Sequence, residues 1–267
     1  MRARLRRLLT GPPPAPRPAS VAAPPAPPPA PWHPLHSALR GPLHPLLHPA
    51  VADALASPDP TCILTPLAPG LFTLPVLSDP ARALLMEETE HAARAAARGT
   101  LSLQAPNSMN EAGLQLSEIG LQGLSDALCS ELVGALTKVF PELGPVSLGD
   151  PHGFTVSYGR GADRSLGFHA DDATVTLNLC LTGDAEGAEV VFEGVRCLAH
   201  RQSHHRPEER VVWTPRAGEA VLHLGAHRHR TLPIARGGRT NLVLWCRDAA
   251  RVDLGPCAPW CGEHQEP

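Results

Sequence analysis

No run of about eighteen apolar residues occurs in the chain, which excludes a helical membrane span. The opening residues also lack the apolar stretch of a secretory signal. The protein is therefore expected to be soluble and intracellular, with the cytoplasm as the default address and no membrane partner. Charge of one sign is lacking too. A formal net charge of -3 gives no basic face and no motive for a nucleic-acid or polyanion partner. Aromatic residues are few, at 4%, and Tyr158 is the single tyrosine. The seven cysteines are an odd set, and Cys129, Cys180 and Cys246 lie in apolar runs where a reduced thiol acts as a small hydrophobe, so a reducing compartment is expected.

What is present is unevenly spread. Of the 31 prolines, 17 fall in the first sixty positions, and no acidic residue precedes Asp53. Residues 1–58, a Pro/Ala/Arg-rich head, are expected to be disordered or polyproline II, because such a composition buries too little apolar surface to offset its ordering entropy. Its opening MRARLRRLLT, with four arginines and three leucines, also suggests mitochondrial targeting. The prolines of residues 12–31 offer a ligand for a groove that reads PxxP segments.

From Thr61 onward the chain reads as ordered. A strand is expected over Cys62–Thr65 and another over Leu71–Leu77. Asp79 reads as the N-cap of a helix with Pro80 at its first position, running to Arg98 and stopped by Gly99. A second helix follows from the spacing of Leu124, Leu128, Leu132, Leu136, Val139 and Phe140, ended by Pro141. Asn107 to Asn110 read as a loop of no evident role. From Gly153 short strands take over, at Phe154–Tyr158, Thr174–Leu181, Ala188–Phe192, Arg210–Trp213, Ala220–Leu224 and Asn241–Cys246, with no helical crossover. The fold class is therefore mainly β with flanking helices: a double-stranded β-helix, or jelly roll, with two or more N-terminal helices packed on it. The division that follows is a head over 1–58, a helical support region over 59–150, the jelly-roll core over 151–250 and a Cys-containing tail over 251–267.

The core contains LGFHADDATVTLNLCL, Leu166 to Leu181. In an extended strand, residues two apart share a face, so His169 and Asp171 can converge on one metal ion while Asp172 faces away. A third ligand must come from elsewhere, and LHLGAHRHRT offers His223, His227 and His229. Spacing leaves the choice among these open. Three protein ligands on one side of an octahedral iron(II) leave positions for a co-substrate and oxygen.

His169-x-Asp171, His229 and Arg239 ten residues beyond it in HRTLPIARGGR together resemble the iron(II)- and 2-oxoglutarate-dependent dioxygenases. Within them the chain resembles the prolyl and lysyl hydroxylase branch, whose order of His, a Pro-containing hairpin, Gly and then Arg or Lys matches His229, Pro233, Gly237 and Arg239. NSMNEAGLQLSEIGL, YGRGADRSLGFHADDATVTLNLCL and GGRTNLVLWCR carry the likeness, which spans about Leu71 to Cys261. It implies that His169, Asp171 and His229 bind Fe(II), that Arg239 holds the distal carboxylate of 2-oxoglutarate, and that Tyr158 adds a hydroxyl to that carboxylate. It also implies O2 as oxidant, L-ascorbate as reductant and hydroxylation of a C–H, with a prolyl or lysyl side chain of a protein as prime substrate. Two departures stand out. Gly187-Ala188-Glu189-Val190 replaces the Gly-Gly-Glu-Leu of many relatives, and RCLAHRQSHHR, Arg196 to Arg206, reads as a solvated loop whose His200, His204 and His205 take metal adventitiously. Two competing readings are a zinc-binding jelly roll using His223, His227 and His229, and a non-catalytic scaffold acting through partners.

Overall fold

The computed structural model describes residues 31–248 and Cys261. The targeting and PxxP readings of the head, and Cys257 in the tail, lie outside the described residues. Order begins well before Thr61. Two 3-10 turns, Ser37–Arg40 and His44–Leu46, lead into helix α1, Pro49–Leu55. Leu39, Leu43, Leu46, Leu47 and Val51 are all buried. Proline content argued against structure here, but Pro45 and Pro49 occupy the first turns of their helices, where a missing N–H costs nothing. A buried carboxylate ties this segment down: Glu88 accepts hydrogen bonds from the N–H of Leu35 (3.0 Å) and His36 (2.9 Å) and from Arg40 Nη2 (3.0 Å).

After a 3-10 turn at Pro60–Ile63, where a strand was expected, come β1 (Thr65–Ala68), β2 (Leu71–Pro75) and α2 (Asp79–Ala97). The cap of α2 is Ser78 rather than Asp79, its side chain accepting from the N–H of Ala81 at 3.3 Å, and Gly99 follows the helix at φ +74. β3 (Gly113–Gln115) precedes α3 (Gln122–Ala127), which passes through a π-helical stretch, Leu128–Val133, into α4 (Gly134–Leu136). The π stretch has a reason in the sequence. Leucines exactly four apart drift about 40° per step around an ideal α-helix, and a wider turn brings Leu124, Leu128, Leu132 and Leu136 back onto one buried face.

The remaining strands are β4 (Leu148–Gly159), β5 (Leu166–His169), β6 (Val175–Cys180), β7 (Glu186–Gly187), β8 (Val190–Val195), β9 (Arg210–Trp213), β10 (Glu219–Leu224), β11 (His227–Thr231), β12 (Ile234–Arg236) and β13 (Gly238–Asp248). A seven-stranded sheet runs β1-β2-β10-β6-β13-β4-β3 and a four-stranded sheet β5-β11-β8-β9, with a β12-β7 ribbon beside them. The pairings are antiparallel, as a jelly roll requires. The region before 150, expected as a helical support region of the catalytic domain, also supplies β1, β2 and β3 to the same large sheet.

Alternation along the strands divides the large sheet into two buried faces. Val175, Leu177 and Leu179 of β6, Ala220, Leu222 and Leu224 of β10, and Leu242, Leu244 and Cys246 of β13 join the helix leucines in one core. The alternate residues, among them Thr176, Asn178, His223, Arg239 and Asn241, face the other way. They are polar and still largely buried, because the small sheet covers them.

Candidate metal centre

The stretch Leu166 to Leu181 is not one strand. β5 ends at His169, the chain turns through Asp171 and Asp172, and β6 begins in the other sheet. His169 and Asp171 therefore meet at the corner between the sheets rather than on a shared strand face. The turn is tight: the N–H of Asp171 donates to the carbonyl of Gly225 at 2.9 Å, and a Cβ on Gly225 would fall 1.9 Å from the carbonyl oxygen of Ala173. Asp172 does face out, exposed and paired with Arg247 at 2.9 Å.

The third ligand arrives across the small sheet, where β11 pairs with β5 and puts His229 directly opposite His169. The ring centroids are 4.2 Å apart. His169 Nε2 lies 3.5 Å and His229 Nε2 3.8 Å from Asp171 Oδ1. Each ring is fixed from behind, His169 Nδ1 by the carbonyl of Gly167 (2.8 Å) and His229 Nδ1 by the carbonyl of His227 (2.9 Å). With Nδ1–H donating to a carbonyl, the lone pair of Nε2 is left free to bind a metal. Asp171 is held in the same manner, since Thr176 Oγ1 donates to its Oδ2 at 2.7 Å and leaves Oδ1 toward the histidines.

The electrostatics favour a cation. Burial pushes His229 down to about 3, so the ring is neutral and needs no deprotonation to become a ligand. Burial opposes ionisation of Asp171, but the neighbouring imidazoles outweigh it and hold its carboxyl below the usual carboxylate range. His223 is close by, fully buried, with Nδ1 on the carbonyl of Leu224 (2.8 Å) and Nε2 3.9 Å from Asp171 Oδ2. His227 packs its ring 5.1 Å from that of Phe192 and 6.4 Å from that of His223. Among the described residues, His223, His227 and His229 do not form a ligand set, whereas His169, Asp171 and His229 do.

At the other end of the same cavity, Arg239 on β13 sits opposite Tyr158 on β4, its Cζ 5.0 Å from the ring centroid. Arg239 is 3% exposed. One Nη donates to the carbonyl of Ala188, while Nε has no partner and the side chain forms no ion pair among the described residues. A guanidinium buried without a counter-anion is costly, which marks a place for an acidic ligand. Tyr158 is buried, its hydroxyl taking a long bond from Thr231 Oγ1 at 3.5 Å. Ala188, the departure from Gly-Gly-Glu-Leu, adopts φ +58, a left-handed conformation that glycine tolerates better.

Asn107 and Asn110, which read only as part of a loop of no evident role, both line the cavity, Asn110 held by Asp163 at 2.9 Å. Thr176, Asn178 and Asn241 were also missed. Their signal was the polar side of an alternating strand, which on its own reads as a solvated face.

With this geometry in place, the comparisons with known proteins are specific. Residues 33–144 match the OGFOD2-like domain, a match that begins inside the stretch whose composition suggested disorder. The chain is 34% identical to the Arabidopsis thaliana 2-oxoglutarate and iron-dependent oxygenase domain-containing protein CP2, over 75% of this chain and 52% of that protein. It is 32% identical to human 2-oxoglutarate and iron-dependent oxygenase domain-containing protein 2, over 72% of this chain and 53% of the relative. Residues 33–144 are thus an OGFOD2-like domain. The chain spans about half the length of the curated relatives it matches. Among solved structures, a prolyl 4-hydroxylase from Phytophthora capsici shares the fold, with a TM-score of 0.50 at 18% identity over 81% of this chain and 66% of that one.

Proposed function

We propose that this OGFOD2-like chain is a 2-oxoglutarate-dependent dioxygenase in which His169, Asp171 and His229 hold Fe(II) and Arg239 takes the distal carboxylate of 2-oxoglutarate. One observation carries the reading. Two imidazole Nε2 atoms and one carboxylate oxygen, each braced from behind, converge at one end of a cavity whose other end holds an unpaired buried guanidinium. Charge supports it: a dication with Asp171, and a dianionic co-substrate with Arg239, together sum to neutrality among largely buried residues.

Bound iron supplies the oxidation of 2-oxoglutarate by O2 to succinate and carbon dioxide, coupled to hydroxylation of a substrate C–H. The rest falls to the chain. Carbonyls of Gly167 and His227 set the ring tautomers, and Thr176 fixes which oxygen of Asp171 faces the metal. Arg239 offers a planar fork suited to a carboxylate, steadied by the face of Tyr158, whose hydroxyl is a second donor. Phe154, Val243 and Trp245 wall the cavity with apolar surface.

The prime substrate in this reading is a prolyl or lysyl side chain of a protein. A cleft beside His169, lined by Met109, Phe168 and Arg201, gives such a chain an apolar and basic surface to lie on. The test is succinate release in air with Fe(II), 2-oxoglutarate and ascorbate. Turnover is expected in the native protein and absent in His169→Ala. Succinate no higher than in that variant, from protein that binds both iron and 2-oxoglutarate and is offered prolyl and lysyl peptides, would overturn it.

A further inference from the structure

A second group of donors converges outside the cavity. Cys197 follows β8, His200 closes a 3-10 turn at Leu198–His200, and Cys261 comes from the far end of the chain. Cys197 Sγ is 3.3 Å and Cys261 Sγ 3.6 Å from the same atom, His200 Nδ1. The three donor atoms lie within 4.8 Å of one another. Both thiols are buried, Cys197 at 3% exposure and Cys261 at 0%.

The dimensions fit a particular ion. A tetrahedral zinc with sulfur at about 2.3 Å and nitrogen at about 2.0–2.1 Å sets a sulfur–nitrogen edge of about 3.6 Å. A ring nitrogen has one lone pair or one hydrogen and serves one thiol well, whereas a shared cation serves both sulfurs and the nitrogen together. Donor type separates this group from the cavity: two sulfurs and an imidazole suit zinc, and the oxygen and two imidazoles of the other triad suit iron.

The loop carrying Cys197 and His200 is braced for such a role. Arg196 makes a bidentate pair with Glu209 at 2.8 and 2.7 Å, and its Nε donates to Ser203 Oγ at 3.0 Å. Fully buried Arg228 donates to the carbonyls of Ser203 (2.5 Å) and Glu193 (2.7 Å). Its guanidinium carbon also lies 5.2 Å from the ring centroid of Phe168, the residue before His169. RCLAHRQSHHR is therefore anchored at buried residues, not a freely solvated loop, and its Arg201 and Gln202 line the cleft beside His169.

We propose that Cys197, His200 and Cys261 bind a zinc ion that ties Cys261 to the β8–β9 loop, a structural site distinct from the His169–Asp171–His229 centre. The zinc holds one wall of the cleft by joining segments some sixty residues apart in sequence.

The experiment is metal analysis of the full chain, purified under reducing conditions and supplied with zinc alone or cobalt alone, then freed of loose metal. One zinc per chain is expected in His169→Ala and none when Cys197→Ser or Cys261→Ser is added to it, the native protein taking a second zinc at the His169–Asp171–His229 centre. Retention in His169→Ala separates this site from the proposed iron centre, so either assignment can fail without the other. If a serine variant does not fold, the cobalt-loaded native protein still decides, through the near-ultraviolet thiolate-to-cobalt charge-transfer band. Its absence, zinc retained by both serine substitutions in the His169→Ala background, or a Cys197–Cys261 disulfide in non-reduced peptide maps would each overturn the proposal.

Discussion

The two faces of the large sheet are both buried, yet they are made of different residues for different ends. On the outer face of β6, Val175, Leu177 and Leu179 meet the helix leucines in the main core. On the inner face, Thr176 holds Asp171 at 2.7 Å and Asn178 lines the cavity. One strand thus serves stability and chemistry at alternate positions, separated by the direction of a Cα–Cβ bond. Burial alone does not identify a core; the chemistry of what is buried does.

The comparison is broken most severely from the inside. Asp171→Asn keeps the size of the side chain and an acceptor for Thr176 but removes the one negative ligand of the triad. Iron is expected to be lost on gel filtration and succinate release to fall to background, while the unfolding midpoint of the metal-free protein stays close to that of the native one. On the outer face the reverse should hold. Leu177→Ala removes a residue 1% exposed in the main core and should cost about 2–5 kcal/mol in denaturant unfolding. The molecules that remain folded should bind iron with native stoichiometry. A Leu177→Ala protein that folds as well as the native one, or that has lost iron while folded, would erase the distinction between the faces.

This division explains what the sequence revealed and what it hid. The outer face was legible, because alternation in TVTLNLCL and four-residue leucine spacing are signals of local periodicity. The strands Arg210–Trp213 and Asn241–Cys246 were legible as short runs between turn residues, the latter, NLVLWC, apolar nearly throughout. The inner face was not, since polar alternate residues read as solvated until a second sheet is known to cover them. His169 and Asp171 were candidates from their spacing, whereas His229 and Arg239 came from family resemblance, since spacing did not choose His229 over His223 or His227. The pairing of β5 with β11 is what sets His229 against His169, and that pairing was invisible in the sequence. Residues 31–58 were misread through composition, because prolines at helix N-termini stand among buried leucines instead of breaking structure. Cys197 and Cys261 are far apart in sequence, and no local pattern joins them.

Within the inner face, a third test separates the two ends of the cavity. Arg239→Ala removes the cation expected to pair with the distal carboxylate and should weaken 2-oxoglutarate by about 2–5 kcal/mol. Iron binding measured without 2-oxoglutarate should not change, because Arg239 touches none of the three ligands. Arg239→Lys should recover part of the loss, since an ammonium keeps the charge but not the two-pronged geometry. Co-substrate affinity equal to that of the native protein in Arg239→Ala would detach this end of the cavity from the reaction.

The smallest effect is the most informative about positioning. Thr176→Val keeps the shape of the side chain and removes the hydroxyl that donates to Asp171 Oδ2 at 2.7 Å. Thr176 touches neither ring nitrogen of the triad, so its role would be to hold Asp171 in the orientation that points Oδ1 at the histidines. Loss of such a partner typically costs about 10–100-fold in metal affinity. Saturating iron should then restore most of the turnover, which Asp171→Asn would not allow. Thr176→Ser keeps the donor and should behave as native at all iron concentrations. If Val and Ser bind iron equally well, the hydroxyl is only a satisfied polar group, and the inner face of β6 contributes space to the site but not orientation.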